Sequence, residues 1–432
     1  MTNQKANGWA LMPFVLFLLL FIGTGVITGD FYKLPVVIAI MIAAVVALAM
    51  NRKESLTSKI ERFAKGAGNI DIMMMVFIFI LAGGFSESAK GMGAVKATVN
   101  VALTIIPENL LVVGLFLIAA FISLAMGTSM GTIAALGPIG AGISGQTDLS
   151  MALTLAAVIG GAMFGDNLSI ISDTTIAAVR TQQTQMRDKF KVNFMIVLPA
   201  AIITCLILFF VTMGNVSHVT SGSYTIIKLL PYVLVLVAAL LGLNVFIVLG
   251  GGIVLSGIIG LADGSYHITS FLKTITDGMF GMSELVFLAI FIGGTVELIS
   301  YNGGISFLLN IFTKRISTKK GAEFGIAGLV SATNLSTANN TISIITAGPL
   351  AKQIADEYGI DRRKSASLLD IFSCSIQGLI PYGAQALTAA KIGSISPVSL
   401  VGYSFYPILI ALCGMGAILI GYPKRLSKNK GE

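Results

Sequence analysis

The chain has 432 residues, of which 55% are hydrophobic and only 11% are charged. A soluble domain carries about 25% charged residues, so the composition excludes a water-soluble protein and favours one that crosses a membrane many times. The formal net charge of +8 does not indicate a nucleic-acid partner, because the basic residues lie in short segments between apolar runs and form no single patch.

Apolar runs near the length of a membrane-spanning helix, about 20 residues, follow one another along the chain. They occupy residues 9–28, 34–50, 70–85, 109–126, 151–164, 192–213, 229–243, 245–261, 285–299, 324–332, 367–380 and 398–420. We predict an all-α polytopic membrane protein with about eleven to fourteen crossings. No convincing cleavage site follows the first run, so we expect it to be retained.

Basic residues between the runs indicate which loops face the cytoplasm, because lysine and arginine are in excess on that side. Three segments are predicted there: Arg52, Lys53, Lys59, Arg62 and Lys65; Arg180, Arg187, Lys189 and Lys191; Lys424, Arg425, Lys428 and Lys430. The side of the loop at 313–321 stays open, since its basic residues would fall outside if every short segment crosses. The predicted location is a bacterial cytoplasmic (inner) membrane.

The two halves of the chain share an ordered set of features at an offset of about 210 residues, which indicates an internal repeat. Gly83-Gly84 matches Gly293-Gly294, Glu87 matches Glu297, and Gly137-Pro138 matches Gly348-Pro349. The run at 192–213 carries the chain across before the second copy begins. We therefore predict inverted-topology repeats at 1–213 and 214–432, with a binding site near the bilayer midplane between them.

Two segments rich in small and polar residues predict paired re-entrant hairpins, at 127–148 and 334–350. Interrupted backbone at membrane depth is tolerated where it lines a cavity. In the first segment Thr128, Ser129 and Thr132 offer hydroxyl oxygens, although small residues for tight helix packing are an alternative. In the second, Asn339, Asn340 and Thr341 offer amides and a hydroxyl, with a capped interfacial turn as the alternative.

Carboxylates inside an apolar segment are the strongest functional signal, because they are expensive within a membrane. A broken helix is predicted at 151–179, with the polar residues Asp166, Asn167, Ser169, Ser172, Asp173 and Thr174. The seven-residue spacing of the two aspartates puts both on one face if the helix is continuous; otherwise one of them caps a helix end. We expect both to bind Na⁺, a hard cation that takes oxygen ligands.

The counterpart in the second copy is a broken helix at 366–390, whose polar residues are mostly neutral. Gln377 and Asp370 are the candidates for a second substrate or ion site there. For Asp370, cation or proton binding and a structural ion pair are both open. The three cysteines lie inside apolar runs and read as small buried hydrophobes, so no disulfide or metal cluster is expected.

The segment Gly-Ala-Met-Phe-Gly-Asp at 161–166, followed by Ser-x-x-Ser-Asp-Thr-Thr at 169–175, resembles the signature of the NhaC family of Na⁺/H⁺ antiporters in the ion transporter superfamily. The resemblance implies Na⁺/H⁺ exchange, with relatives that handle organic acids or amino acids. It also implies a dimeric scaffold and a moving elevator domain that holds both hairpins. Ile170 departs from the family, which often has proline there.

Two functions are carried forward, and a channel or non-transporting scaffold is the third class. The first is secondary antiport, in which Na⁺ and H⁺ compete for a site that contains Asp166 and Asp173. The second is a cation-coupled carrier of an amino acid or small carboxylate, held by Asn339, Asn340 and Gln377. No P-loop, dinucleotide fingerprint or catalytic triad is present, so we predict no enzymatic activity and no cofactor, and we expect a homodimer.

Overall fold

The computed structural model describes residues 6–28, 33–105, 107–169, 172–213, 225–241, 243–313 and 317–423. Regular structure within these residues is entirely helical, which confirms the predicted all-α class. The first half contains α1 (Met12–Leu18), α2 (Thr24–Thr28), α3 (Val36–Ala49), α4 (Leu56–Ala67), α5 (Ile70–Gly91), α6 (Ala94–Ile105), α7 (Leu111–Met126), α8 (Ser129–Gln146), α9 (Met151–Leu168), α10 (Asp173–Gln182) and α11 (Met186–Thr212).

The helices of the second half follow in a similar succession of lengths. They are α12 (Leu230–Leu240), α13 (Val245–Ala262), α14 (Ile268–Gly281), α15 (Ser283–Tyr301), α16 (Gly304–Thr313), α17 (Lys319–Thr337), α18 (Asn340–Glu357), α19 (Arg362–Leu379), α20 (Ala384–Gly393), α21 (Pro397–Val401) and α22 (Phe405–Leu419). A π-helical turn at Leu19–Gly23 joins α1 to α2.

Helical segments of the described chain have the length and apolar character that a membrane span requires. Five stretches are long enough: Ile72–Gly91, Met151–Gln182, Met186–Thr212, Val245–Ala262 and Ile268–Tyr301. The second of them contains the two helices α9 and α10, and the last contains α14 and α15. Shorter apolar helices cover Gly8–Phe21, Val36–Ala49, Leu111–Leu124, Ile226–Val235 and Phe405–Leu419. The chain therefore has the character of a membrane protein, and the number of crossings stays a prediction.

Helix α11 illustrates why such segments need a lipid environment. Ile202, Leu206 and Phe210 lie at intervals of four residues and are 52%, 51% and 64% exposed. Residues four apart share one helix face, so α11 presents a continuous apolar stripe outward while Ala200 and Leu208 face the protein. A hydrocarbon environment satisfies this stripe, whereas water does not.

Glycines let helices of the two halves approach closely. A Cβ atom on Gly83 of α5 would lie 2.1 Å from the carbonyl oxygen of Gly278 on α14, and one on Gly66 of α4 would lie 2.5 Å from the carbonyl oxygen of Gly293 on α15. Gly83 of the first half therefore packs against α14, and Gly293, its counterpart in the second half, packs against α4. The Gly-Gly pairs seen in the sequence therefore mark helix crossings between the halves.

The helices form two groups, each with members from both halves. In one, α3 and α4 pack on α15 while α13 and α14 pack on α5. In the other, α7 packs on α9 and α17 on α19, and α10 packs on α18 as α20 packs on α8. We call the first group (α1–α6 and α12–α16) the outer group and the second (α7–α11 and α17–α22) the hairpin group.

The predicted hairpins need correction in their extent. Residues 127–148 do not form a hairpin by themselves, because α8 runs without a break from Ser129 to Gln146 with Pro138 inside it. The turn lies at Gly127 and Thr128, and its first arm is α7. In the second segment the turn lies at Ala338 and Asn339, between α17 and α18. Local sequence marked the polar turns, but buried packing keeps the Gly- and Pro-containing helix α8 intact.

Each turn follows the same backbone rule. The residue that ends the first arm has a positive φ, +68° at Gly127 and +50° at Ala338. The next residue, Thr128 or Asn339, is extended and accepts a hydrogen bond from the backbone N–H three positions later. A left-handed residue stops one helix and an N-cap starts the next, so both turns direct a helix N-terminus to the same region.

Two basic residues of the segments predicted to be cytoplasmic are buried within helices. Lys59 donates to the carbonyl oxygens of Leu48 and Met50 at 2.8 Å each, where α3 ends. Lys189 lies in the first turn of α11 and pairs with Asp370. Counting basic residues cannot detect the pair of Lys189 with Asp370, because the two residues are 181 positions apart in sequence. The segment at Lys424, Arg425, Lys428 and Lys430, and residues 314–316 of the loop at 313–321, lie outside the described residues.

A loop carboxylate after α13 has a perturbed titration. Partial burial alone would raise the pKa of Asp263, but hydrogen bonds from Ser265 and Lys228 outweigh it and lower the pKa to about 2. The Lys228 ammonium lies 2.9 Å from the carboxylate. This ion pair ties the segment before α12 to the end of α13.

Candidate functional site

The two helical turns and the two broken helices converge on a cavity of about 280 Å³. Most of the predicted site residues line it: Thr128, Ser129, Asp166, Ser172, Asp173, Thr174, Asn339, Asn340, Thr341 and Gln377. They come from the ends of α8, α9, α10, α18 and α19, so the fold brings together residues from both halves of the chain.

Asp166 is the most enclosed carboxylate of the cavity. Its side chain is 5% exposed and lies in the last turn of α9. The Ser129 hydroxyl donates to Asp166 Oδ2 at 2.9 Å, and the Ser172 hydroxyl donates to Oδ1. Ser129 begins α8 and Ser172 caps α10, so this carboxylate joins three helix ends.

Asp166 has no basic partner within the described residues. Neither lysine, arginine nor histidine is among the side chains that line the cavity, and the nearest buried ion pair engages Asp370 instead. An isolated buried carboxylate costs several kcal/mol of desolvation unless a cation or a proton neutralises it. The site is therefore chemically suited to bind one or the other.

A chain of hydrogen bonds connects the second half of the protein to Asp166. Gln377 Nε2 donates to Gln385 Oε1 at 2.8 Å, and Gln385 Nε2 donates to the Ser129 hydroxyl at 3.2 Å. Gln377 also donates to the Ala338 carbonyl at 3.1 Å. The amides thereby orient the Ser129 hydroxyl toward the carboxylate.

Asp173 has a different environment from Asp166. Its side chain is exposed toward the cavity at the first residue of α10. A carboxylate is favoured at a helix N-terminus by the helix dipole. The helix is not continuous between the two aspartates, since α9 ends at Leu168 and α10 begins at Asp173. The break, and not helical periodicity, is what brings both to the cavity.

Part of the amide-rich turn is committed to capping, which was the structural alternative for this segment. Asn339 Oδ1 accepts from the Ile342 N–H at 2.9 Å, and Asn340 Oδ1 accepts from the Thr341 N–H at 3.1 Å. Thr128 Oγ1 has the same role in the first half, accepting from the Gly131 N–H at 3.4 Å. These three residues line the cavity and also stabilise its walls.

Four predicted residues do not line the cavity, and geometry explains three of them. Asn167 follows Asp166 and therefore points about 100° away around the helix; it donates to the Met163 carbonyl at 2.9 Å. Thr132 donates to the Thr128 carbonyl at 2.9 Å within α8. Asp370 pairs with Lys189 at 2.7 Å, which is the structural ion pair that the sequence left open as an alternative to an ion site.

Ser169 is the fourth residue outside the cavity lining. It is 1% exposed, and its hydroxyl has no hydrogen-bond partner within the described residues. It lies just past the end of α9, where its N–H donates to the carbonyls of Gly165 and Asp166. Its backbone therefore closes the helix end next to the carboxylate.

The cavity also contains residues that the sequence did not single out. Gln385, Asn244, Met74, Met75 and Ile78 line it. Gln385 is the second residue of α20, after the break that follows α19, as Thr174 is the second residue of α10 in the first half. Asn244 and the α5 residues belong to the outer group, and no local pattern places them beside Asp166.

The donor set of the site is made of oxygen and amide groups. The described residues contain no group of three or more His, Cys, Asp and Glu side chains that could hold a metal ion. Carboxylate, hydroxyl and amide oxygens suit a hard cation.

A sequence model described as the Na⁺/H⁺ antiporter family matches residues 6–213 and residues 178–424. The chain is 26% identical over 391 residues to the Na⁺/H⁺ antiporter NhaC of Bacillus subtilis, covering 82% of this chain and 84% of that protein. It is 22% identical to the malate-2H⁺/Na⁺-lactate antiporter of the same species, covering 91% and 90%.

Among solved structures, the YdaH transporter of Alcanivorax borkumensis is similar with a TM-score of 0.43 and 15% sequence identity. The similarity covers 85% of this chain and 88% of that one.

Proposed function

This chain belongs to the Na⁺/H⁺ antiporter family, and we propose that it exchanges Na⁺ for H⁺ at the carboxylate of Asp166. Membership in a transporter family, together with the apolar helices, makes it a membrane transport protein of the NhaC type. Beyond family membership, we propose Asp166 as the binding site and competition between Na⁺ and H⁺ as the mechanism.

One observation carries the proposal: a buried carboxylate faces a cavity without a basic partner in the described structure. Na⁺ binds the ionised carboxylate, and a proton binds the same oxygens, so the two ligands exclude each other. Leaving the site empty would strand a buried charge, which costs several kcal/mol. The site is therefore loaded with one ligand or the other, which is the basis of coupled exchange.

Oxygen atoms around Asp166 supply further ligands for the ion. The Ser129 and Ser172 hydroxyls already contact the carboxylate, and Thr174 Oγ1 lies 2.8 Å from Ser172 Oγ. Each hydroxyl can turn a lone pair toward a cation. Asp173, exposed at the cavity, attracts cations toward the site and acts as the second Na⁺ ligand of the proposal.

Transport requires the site to face each side of the membrane in turn, and we propose an elevator movement for this step. The cavity lies along the boundary between the hairpin group and the outer group, since Met74, Ile78 and Asn244 come from the latter. Sliding one group past the other would carry Asp166 across without opening a continuous pore. Only a neutralised carboxylate crosses this apolar boundary cheaply.

We propose that the two groups are built from inverted repeats at 1–213 and 214–432. Matching interactions support this: Ser123 donates to the Ala162 carbonyl, and 211 positions later Asn334 donates to the Ser373 carbonyl. Gln377 stands 211 positions after Asp166. In this scheme the first copy carries the charge and the second supplies a neutral amide at the equivalent place.

The wider setting also belongs to the proposal. Bacterial relatives support a bacterial cytoplasmic membrane as the location, and the resemblance to NhaC antiporters supports a homodimer. In the proposed exchange, one of the two ions, Na⁺ or H⁺, moves down its gradient and drives the other, so no cofactor is required.

Reconstituted exchange tests the proposal directly. Purified protein is placed in liposomes with an internal pH dye, and Na⁺, Li⁺ or K⁺ is added outside without any organic solute. We expect a saturable, cation-dependent alkalinisation or acidification of the lumen, which is absent in Asp166→Asn. An unchanged lumen pH with every cation would refute Na⁺/H⁺ exchange.

A second function is favoured by the size and chemistry of the cavity. A volume of about 280 Å³ exceeds what a single dehydrated ion needs, and it is lined by amides from Asn244, Asn340 and Gln385. Helices α8, α10, α13 and α18 begin there, and helix N-termini attract carboxylates. A cation-coupled exchange of a small carboxylate or amino acid fits these features. One relative of the chain is named as an antiporter of this kind, for malate and lactate.

The same liposomes separate the two functions. In the organic-solute case, Na⁺ alone leaves the lumen pH unchanged, and adding lactate, malate or a basic amino acid starts both solute uptake and pH change. Solute-independent exchange of Na⁺ for H⁺ would instead exclude an obligatory organic substrate.

A further inference from the structure

Lys189 is a buried cation beside the site that the proposed exchange does not use. Its side chain is 1% exposed, and its ammonium makes three contacts: Asp370 Oδ2 at 2.7 Å, Thr175 Oγ1 at 2.8 Å and the Asn167 carbonyl oxygen at 3.0 Å. An ammonium has three N–H donors, so all of its hydrogen-bonding capacity is used within the protein.

Two of these contacts lie on opposite sides of the break that holds the carboxylate. Asn167 is the next-to-last residue of α9 and directly follows Asp166, whereas Thr175 lies in the first turn of α10. The carbonyl of Asn167 is one of the last four of its helix and lacks an intrahelical partner. A cation is favoured at this negative end of the helix dipole.

Asn193, one turn later on α11, contacts the same two acceptors. Its Nδ2 donates to the Asn167 carbonyl at 2.9 Å and to Asp370 Oδ2 at 2.8 Å, and its Oδ1 accepts from the Ser367 hydroxyl. Helices α9, α10, α11 and α19 are thereby joined at one point. The end of α9 and the start of α10 are fixed relative to each other by side chains of α11.

The second half of the protein has an equivalent but neutral contact. Ser404 stands 211 positions after Asn193, and its hydroxyl donates to the carbonyl of Gly378, which stands 211 positions after Asn167. Leu400 occupies the place that corresponds to Lys189. The charged clamp is therefore confined to the half that carries Asp166, where the helix break also holds a carboxylate.

We propose that Lys189 is a positioning residue for the Asp166 site: by binding the Asn167 carbonyl and Thr175, with Asp370 as its counterion, it fixes the spacing between Asp166 and Ser172 across the helix break. The inference rests on the proposed function only where it is tested by transport, because hydrogen exchange tests it without transport. Lys189 does not bind the ion; it sets the geometry in which Asp166 and the two serine hydroxyls do.

A second buried ion pair in the same helix group provides a matched control. Lys364 lies 2.7 Å from Glu323, with side chains 5% and 4% exposed, and it contacts neither helix break. Lys189→Met and Lys364→Met each leave one buried carboxylate unpaired, so both should lower the melting temperature by similar amounts. Only Lys189→Met removes the bridge across the break.

Double variants separate positioning from charge balance. Lys189→Met with Asp370→Asn, and Lys364→Met with Glu323→Gln, remove both charges and should recover most of the lost stability. We expect the first double variant to keep a KM for Na⁺ raised about tenfold or more, because Thr175 loses its partner across the break and the Asn167 carbonyl keeps only its hydrogen bond from Asn193 of α11. The second should stay within about twofold of wild type.

The inference is overturned if Lys189→Met with Asp370→Asn returns to the wild-type KM, since Lys189 would then only neutralise Asp370. It is equally overturned if both double variants raise KM alike, since the effect would then be general. If the single variants do not fold, the double variants carry the test.

Hydrogen exchange gives an answer that does not depend on transport. The Ser169 and Ile176 amides, bonded to carbonyls on the two sides of the break, should exchange about tenfold faster in the Lys189 double variant and unchanged in the Lys364 double variant. Equal protection in all three proteins would refute the positioning role. A wild type without Na⁺-driven pH change would refute the proposed function, while the exchange data still decide this inference.

Discussion

Replacing Asp166 by asparagine should remove exchange far more completely than replacing Asp173. Asp166 is 5% exposed, so its attraction for a monovalent cation at about 4 Å is about 4 kcal/mol at an effective dielectric of about 20. At about 1.4 kcal/mol for each factor of ten, Asp166→Asn should weaken Na⁺ binding about a thousandfold. The amide also cannot carry the proton in the reverse step.

The exposed position of Asp173 gives a much smaller expectation. A charge on an exposed side chain contributes about 1 kcal/mol at the same separation when the effective dielectric is close to that of water, which is about a fivefold change in affinity. Asp173→Asn should therefore raise the KM for Na⁺ about fivefold and leave exchange measurable. The difference between the two variants follows from burial alone, since the chemical change is the same.

The assay is the liposome pH measurement over a series of Na⁺ concentrations, with Asp277→Asn as the control. Asp277 is an exposed aspartate paired with Lys273, and its variant should behave as wild type does. The reasoning is refuted if Asp166→Asn retains saturable exchange at wild-type Na⁺ concentrations. If Asp173→Asn is inactive and Asp166→Asn is active, Asp173 would be the essential carboxylate and Asp166 the accessory one.

Competition at one carboxylate predicts that the KM for Na⁺ rises about tenfold for each pH unit below the pH at which protons fill the site; a KM that does not change with pH in ²²Na⁺ uptake would contradict shared oxygens. Gly83→Ala should lower the melting temperature in detergent, because its Cβ would lie 2.1 Å from the Gly278 carbonyl and overpacking costs about 1–3 kcal/mol. Gly250→Ala, with nothing within 4 Å of the new Cβ, should be neutral or stabilising, and equal losses in both would refute the helix-crossing argument. Asp263 has a pKa of about 2 in the folded protein against about 3.9 unfolded, so its ion pair stabilises above about pH 4 and is lost as the pH falls toward 2. The melting temperature of Asp263→Asn should lie below that of wild type at pH 7, by about 1 kcal/mol of stability, and the difference should vanish near pH 2; a constant difference would contradict it.

The sequence by itself determined the class of the protein and the segments that carry its polar chemistry. Apolar runs predict helices because lipid leaves every backbone group to be satisfied inside the segment. The polar segments that contain Gly127-Thr128 and Asn339 were visible as interruptions of the apolar pattern, because small and polar residues are a local signal, but the positions of the turns within them were not. The family resemblance at 161–175 also rests on contiguous residues, and the family match confirms it.

Tertiary structure decided which of those polar residues meet. Asp166 and Asn167 are neighbours in sequence, but a rotation of about 100° per residue directs one to the cavity and the other to Tyr406. The partner of Lys189 lies 181 positions away, so a sequence pattern reads it as a loop cation. Gln385 reaches Ser129 across 256 positions. Hydrophobic periodicity acts over a few helical turns, whereas a binding site is made where distant helix ends are packed together, and no local signal specifies that packing.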